Sequence, residues 1–369
     1  MKLYIHQLPG WPAFKWDPKK IGLLLAEVRH AQGRLLGRMH GLGFDLRAEA
    51  SLKILTLDVV KSSEIEGEIL DESQVRSSIA RRLGMDIAGL VPADRNVEGV
   101  VEMMLDATQL FEKPISEKRI YKWHKALFEP LPGRRNMMVI GSWRQNIKSN
   151  PMQAISGPIG KEKVHFTAPD SGTISNEMQQ FFVWFNEVDA TLDPILKAAI
   201  AHLWFITIHP FDDGNGRIAR AIADMQLARA DGSAQRFYSM SAQIRKERNA
   251  YYEVLEKTQK GSLDITVWLE WFINCLARAL ETTNETLRLI FTKVSFWKLH
   301  GKTILNSRQL LMLNKLLDGF TGKLNSSKWA TIAKCSADTA LRDIQDLMDK
   351  NILIKEDGGG RSTSYLLVE

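Results

Sequence analysis

From about residue 17 to residue 290 the apolar residues recur at intervals of three and four, the period of helices that bury one face. Asp17-Pro18 opens the first, with Asp as cap and Pro at the first helical position, followed by Ile21, Leu23, Leu24, Leu25 and Val28. Residues 48–67 predict a second helix through Leu52, Ile54, Leu55, Leu57, Val59 and Val60, and 95–110 and 116–128 two more. Between 133 and 170 the texture changes to Gly, Pro, Asn and Ser with short apolar alternations. That pattern predicts a loop and hairpin, with strands over 152–156 and 163–166. Asp193-Pro194 then starts a helix apolar nearly all round (Ala198, Ala199, Ile200, Leu203, Trp204, Phe205, Ile208), the pattern of a buried central element. It should stop at His209-Pro210, because Pro disfavours the helical conformation in the residue before it. Further helices are expected over 216–230, 246–257 and 265–289.

The last stretch reads as a separate unit. Helices are expected over 307–317, over 326–333 with Ser326 or Ser327 as cap, and over 337–350, followed by a hairpin of 352–356 against 364–368 across Asp357-Gly358-Gly359-Gly360. Three helices and a wing resemble a winged helix-turn-helix. A length of 369 residues suggests two or three domains, and we place them at 1–94, 95–290 and 291–369. No internal repeat or low-complexity tract appears.

Composition narrows the class. Hydrophobic residues at 44% and charged ones at 25% exclude a wholly disordered chain. The net charge of +6 is a thin excess for this length, permitting an anionic partner without demanding nucleic acid. Cys275 and Cys335 are too few for a disulfide framework or a zinc knuckle, which favours a reducing cytoplasm. No signal-peptide pattern and no membrane-length apolar run is visible, so a cytoplasmic protein is expected.

Chemistry concentrates in His209-Pro210-Phe211-Asp212-Asp213-Gly214-Asn215-Gly216-Arg217-Ile218-Ala219-Arg220. A histidine ends the buried helix, and a Gly-Asn-Gly turn opens the next, where backbone N–H groups make an anion site. Arg217 and Arg220, three apart, share a face and offer two guanidinium forks to a polyphosphate. Asp213 suits Mg²⁺, which takes one or two carboxylates plus phosphate oxygens. His209 is placed as a general base. The competing reading is a solvated acidic turn with helix salt bridges.

The segment resembles the Fic family motif, His-x-Phe-x-(Asp/Glu)-Gly-Asn-Gly-Arg-x-x-Arg, at every fixed position. The resemblance implies a mainly α protein: a Fic-type helical core with a β-hairpin flap, an N-terminal helical module bearing an inhibitory helix, and the C-terminal winged helix-turn-helix. It implies transfer of AMP from ATP to a protein hydroxyl. His209 would deprotonate the target and Asp213 would coordinate Mg²⁺. Gly214, Asn215, Gly216 and Arg217 would hold the α- and β-phosphates, Arg220 would orient the γ-phosphate, and Phe211 would anchor the loop in the core. The kinase-like branch of the fold carries Lys at the second Gly, so Gly216 favours nucleotidyl over phosphoryl transfer.

Upstream, Ser62-Ser63-Glu64-Ile65-Glu66-Gly67 resembles the family's inhibitory motif, (Ser/Thr)-x-x-x-Glu-(Gly/Asn), which implies that Glu66 occupies Arg220. Looser resemblances implicate Tyr251, Tyr252 and Gln259 on the adenine side. They also implicate residues 152–157, including Ala154, Ile155, Ser156 and Gly157, as a flap that aligns the target by β-addition. Gly141-Ser142-Trp143-Arg144 fits a structural turn ahead of the flap. The resemblance spans about residues 45–275, and the first 90 or so also look like the helical N-terminal module of some bacterial members.

Other features carry less. Residues 157–161 suggest a P-loop but fail it, with Ile155 where Gly is needed and Glu162 after Lys161. His202 and His124 read as core histidines. The helix over 337–350 carries Arg342 and Lys350 against Asp338, Asp343, Asp346 and Asp349, a poor charge for a DNA groove; Lys355 and Arg361 in the wing are likewise met by Glu356 and Asp357. A protein-contact or homodimer role is preferred there. Two rivals stand beside AMP transfer: removal of AMP from a modified protein with Glu66 positioning water, and a DNA-binding regulator with a nucleotide-sensing core. The target protein is not specified, and self-modification is one option.

Overall fold

The computed structural model describes residues 4–86, 90–128, 138–145, 151–156, 163–317, 320, 322–356 and 363–368. The chain divides into two compact units, Met1–Thr283 and Asn284–Glu369.

In the first unit, α1 (Pro18–His40) begins as its sequence predicts, with Asp17 accepting the Lys19 N–H at 2.9 Å and Pro18 at the first position. Next come α2 (Phe44–Ile65), α3 (Glu72–Arg82), α4 (Arg95–Gln109) and α5 (Glu117–Phe128). Two antiparallel strands follow, β1 (Gln153–Ser156) and β2 (Lys163–Thr167), with Gln153 opposite Thr167 and a bulge between Ala154 and Ile155. Beyond them lie α6 (Ile174–Asn186), α7 (Pro194–Ile208), α8 (Asn215–Asp231), α9 (Met240–Lys246), α10 (Arg248–Gln259) and α11 (Thr266–Thr286). The centre is α7, buried without interruption from Ile195 to Ile208 and packed on α8. A helix as apolar as α7 cannot face water, so the other helices must wrap it.

Boundaries differ from expectation for local reasons. α2 starts four residues early and ends at Ile65, because Gly67 adopts φ +86° and closes the helix. The Gly67 N–H reaches the Glu64 carbonyl at 3.1 Å and the Glu68 N–H the Ser63 carbonyl at 3.1 Å, the paired bonds of a left-handed helix stop. Glu66 is therefore the last residue before the turn, outside the helix proper. The helix expected over 265–289 ends at Thr286, and α12 (Arg288–His300) begins anew.

In the second unit, α13 (Ser307–Leu317), α14 (Ser326–Ala333) and α15 (Ala337–Asp349) precede β3 (Leu353–Lys355) and β4 (Tyr365–Leu367), paired antiparallel with Leu353 opposite Leu367. Its core gathers Phe296, Met312, Leu313, Leu317, Trp329, Ile344, Leu347, Ile352 and Tyr365. The cap of α14 is Asn325, which accepts the Lys328 N–H at 2.9 Å, rather than Ser326 or Ser327. Among the described residues no helix is long and apolar enough to cross a membrane.

Candidate active site

The loop between α7 and α8 carries the motif. His209 ends α7 with φ 52° and ψ 59°, a left-handed conformation unusual for a residue other than glycine. Its backbone is held by Arg144, whose Nε donates to the His209 carbonyl at 2.7 Å and whose own N–H donates to the Pro210 carbonyl at 3.0 Å. Arg144 Nη2 also donates to the Pro169 carbonyl at 2.6 Å, so one buried side chain joins the end of β2 to the histidine. Nδ1 of His209 lies 3.1 Å from the Ile206 carbonyl. A carbonyl only accepts, so the ring proton sits on Nδ1 and the lone pair on Nε2. Burial brings the His209 pKa down to about 4, with the Arg144 charge adding to it against the pull of the Ile206 carbonyl, Glu66 and Asp213.

The loop is closed from within. Asn215 Oδ1 accepts the Phe211 N–H at 3.0 Å and Nδ2 donates to the Phe211 carbonyl at 2.8 Å. Phe211 is fully buried and stacks on His124, ring centres 4.0 Å apart. His124 Nδ1 accepts the Gly141 N–H at 3.0 Å, which leaves Nε2–H for the Asp213 carbonyl at 3.3 Å. Gly214 takes φ +81°, and a Cβ there would stand 2.8 Å from the Phe128 ring. α8 then presents the N–H groups of its first turn, the ready place for an anion.

Arg220, 2% exposed, is bound on Nε and Nη2 and ion-paired at Nη1. Nε donates to Ser62 Oγ and Nη2 to the Ser62 carbonyl, both at 2.9 Å, and Nη1 lies 2.8 Å from Glu66 Oε1. Burial works against its charge, and Glu66 more than restores it, so Arg220 is held above its ordinary range. Gly216 makes room for that carboxylate: a Cβ there would fall 2.1 Å from Glu66 Oε1. Arg217 is taken as well. Its Nη1 lies 2.6 Å from Glu68 Oε2, and its guanidinium sits 5.1 Å from the Phe128 ring centre.

The flanking residues separate into two groups. Tyr251 is buried with its hydroxyl 2.9 Å from His202 Nε2, and Gln259 is buried with Nε2 on Thr207 Oγ1 at 3.2 Å. Tyr252 is more open, 38% exposed, under the Arg248 guanidinium. In the hairpin, Ile155 is exposed, Ala154 half-buried, and Ser156 is paired opposite Lys163. Gly157 and residues 158–162 lie outside the described residues, as does Arg361. The β2 residue His165 meets Glu256 of α10, Nδ1 to Oε2 2.6 Å. Asp213 is exposed, and among the described residues no cluster of three or more His, Cys, Asp or Glu could hold a metal. A single hard carboxylate beside an anion cradle nonetheless fits Mg²⁺, which takes its other ligands from phosphate and water.

Sequence reasoning missed Glu68. The signal available was its spacing: two residues past Glu66 across a Gly, it lies on the same side of the turn.

A helical core whose central helices α7 and α8 are joined by the motif loop describes the class, and known proteins resemble it. Residues 114–227 match the family described as Fic/DOC, and residues 4–85 one described as a domain of unknown function, DUF4172. The segment that matches the Fic/DOC family includes the whole loop between α7 and α8. It is 26% identical over 231 residues to proteins named "Protein adenylyltransferase Fic" from Drosophila yakuba and Drosophila melanogaster, covering 60% of this chain. That match spans only 40% and 41% of the length of those relatives. Among solved structures, a Fic family protein from Desulfovibrio desulfuricans G20 superposes with a TM-score of 0.57 at 20% identity, over 97% of this chain and 98% of that one. A Fic domain-containing protein from Bacteroides thetaiotaomicron gives 0.50 at 19% identity, over 73% and 97%. These likenesses establish the mainly helical Fic fold.

Proposed function

We propose that this protein transfers AMP from ATP to a Tyr, Thr or Ser hydroxyl of a protein, and that Glu66 holds the reaction in check. The observation that carries the reading is the seating of Glu66 on Arg220 over Gly216, beside a histidine kept neutral with its proton on Nδ1. In the active arrangement His209 Nε2 takes the proton of the target hydroxyl as its oxygen attacks the α-phosphorus. The bond from that phosphorus to the α–β bridging oxygen breaks, and pyrophosphate leaves. The N–H groups opening α8, with Arg217 and Arg220, bind the triphosphate and stabilise the charge that grows on it. Mg²⁺, held by Asp213 and phosphate oxygens, would neutralise part of that charge. The flap β1–β2 would align the target chain, and Tyr252 would lie on the adenine side. The domains at 1–94, 95–290 and 291–369 serve as inhibitory module, catalytic core and winged helix. The last is a protein-contact module, since Arg308 and Asn306 already hold Asp343 of α15 and its other acidic residues repel a phosphate backbone.

Intact-mass measurement after incubation with ATP and Mg²⁺ tests this. Glu66→Gly should gain one or more AMP units, wild type fewer, and Glu66→Gly with His209→Ala none. Adducts that persist without His209 would sink the assigned base. An absence of adducts in every variant, combined with loss of AMP from a pre-modified protein, would replace transfer by removal.

A further inference from the structure

Arg220 is not the only motif arginine that α2 occupies. Glu68, two residues past Glu66, places Oε2 2.6 Å from Arg217 Nη1, with the Arg217 side chain 7% exposed. Arg217 Nε is buried and finds no hydrogen-bond partner among the described residues. Both carboxylates are aimed by the same local device. Gly67 at φ +86° reverses the chain, the Glu66 and Glu68 N–H groups both donate to the Ser63 carbonyl, and the Gly67 N–H donates to Glu64. Residues on either side of that left-handed turn therefore face the α8 N-terminus together. Arg248 Nε, donating to the Ile65 carbonyl at 2.8 Å, fixes the turn from the other side.

We infer that Glu66-Gly67-Glu68 is an internal polyphosphate mimic, in which Glu68 takes the place of a nucleotide phosphate on Arg217 while Glu66 takes Arg220. This inference rests on the reading of the site as a nucleotide site and changes how inhibition works. A single carboxylate on Arg220 would let ATP bind but misplace its γ-phosphate. Two carboxylates, one on each guanidinium, compete with the nucleotide for entry. Closure then weakens apparent ATP affinity by the fraction of molecules in which the site is open, and each prong removed restores part of it.

The test is ATP binding with Mg²⁺ by calorimetry on the full chain in a His209→Ala background, which prevents turnover, with intact-mass adduct formation measured in parallel where His209 is retained. Glu68→Gln should tighten ATP by roughly tenfold over the background, Glu66→Gly by a similar factor, and the double variant beyond either. Glu68→Ala serves as the second variant, and thermal melts establish that each is folded. An unchanged dissociation constant in both Glu68 variants, with tightening in Glu66→Gly, overturns the inference and leaves the function standing. Tightening in the Glu68 variants without adducts in any variant sustains the inference and removes the transferase reading. No ATP binding in any variant overturns both.

Discussion

Arg144 shows how much of the chemistry depends on residues outside the motif. A histidine in the left-handed region costs of order 1–3 kcal/mol unless its surroundings hold it there. Arg144 does so through the carbonyls of His209 and Pro210, while gripping Pro169 beyond β2. In a Glu66→Gly background, Arg144→Met should lower the rate of AMP transfer by about a hundredfold, because a misplaced base loses near-attack geometry. The KM for ATP should change little, since the phosphate cradle is built from α8. Steady-state kinetics check this, and a parallel loss in kcat and KM would mean that Arg144 supports the whole loop instead. At this scale the sequence was most legible where one short segment holds a complete motif. His209, Asp213, Arg217, Arg220 and Glu66 come together as named residues. Glu68 was missed although its spacing past Glu66 was readable, and the hydrogen bonds of His124 to Gly141 and Asp213 were not legible, because no pattern links those segments.

The helices were legible where apolar spacing was strong and a cap stood in front, as for α1 and α7. α3 and α6 were not resolved from the pattern, although Asp71 caps α3 by accepting the Gln74 N–H at 2.9 Å. The end of α2 also required knowing that Gly67 would turn left-handed. Packing between elements is set at a few close approaches. Gly99 of α4 faces α5 so tightly that a Cβ would stand 1.8 Å from the Ala126 carbonyl oxygen. Gly99→Ala should therefore cost about 3 kcal/mol, since backbone rather than a flexible side chain must yield. Gly33, inside α1 with open space around it, should behave oppositely: Gly33→Ala should stabilise by roughly 0.5–1 kcal/mol. Urea unfolding of both variants checks the pair, and a small or stabilising effect at Gly99 would mean α4 and α5 can slide apart.

Over the whole molecule, His124 and His202 are buried, and His6 and His209 partly buried, in their neutral forms. Burial lowers His202 to about 3 and His6, His124 and His209 to about 4, with nearby arginine charges adding to the effect. Below the ordinary value of 6.5 the unfolded chain takes up protons these folded residues refuse, so stability is full above about pH 6.5 and falls as pH drops towards 4. Asp224 and Asp231, raised by burial, oppose the trend, while carboxylates held low by their partners, such as Glu98, Glu247 and Asp343, add to it. The melting temperature should fall steadily from pH 7 to pH 4.5, and a flat profile would show that these rings are hydrated. The sequence places three domains at 1–94, 95–290 and 291–369, with the last stretch read as a separate unit, whereas the division between Thr283 and Asn284 falls where helical sequence runs through.

The anchoring of α2 has a mechanical meaning. Asp58 is buried and bound by the Ser239 hydroxyl and by the Ser241 N–H at 3.2 Å, so the helix is pinned there to the segment entering α9. Only eight residues lie from that pin to Glu66, about 12 Å of helix. A bolt on so short a lever has a short stroke: to clear the arginines its last two turns must give up the Arg248 bond to the Ile65 carbonyl, while the pin at Asp58 keeps the rest of α2 in place.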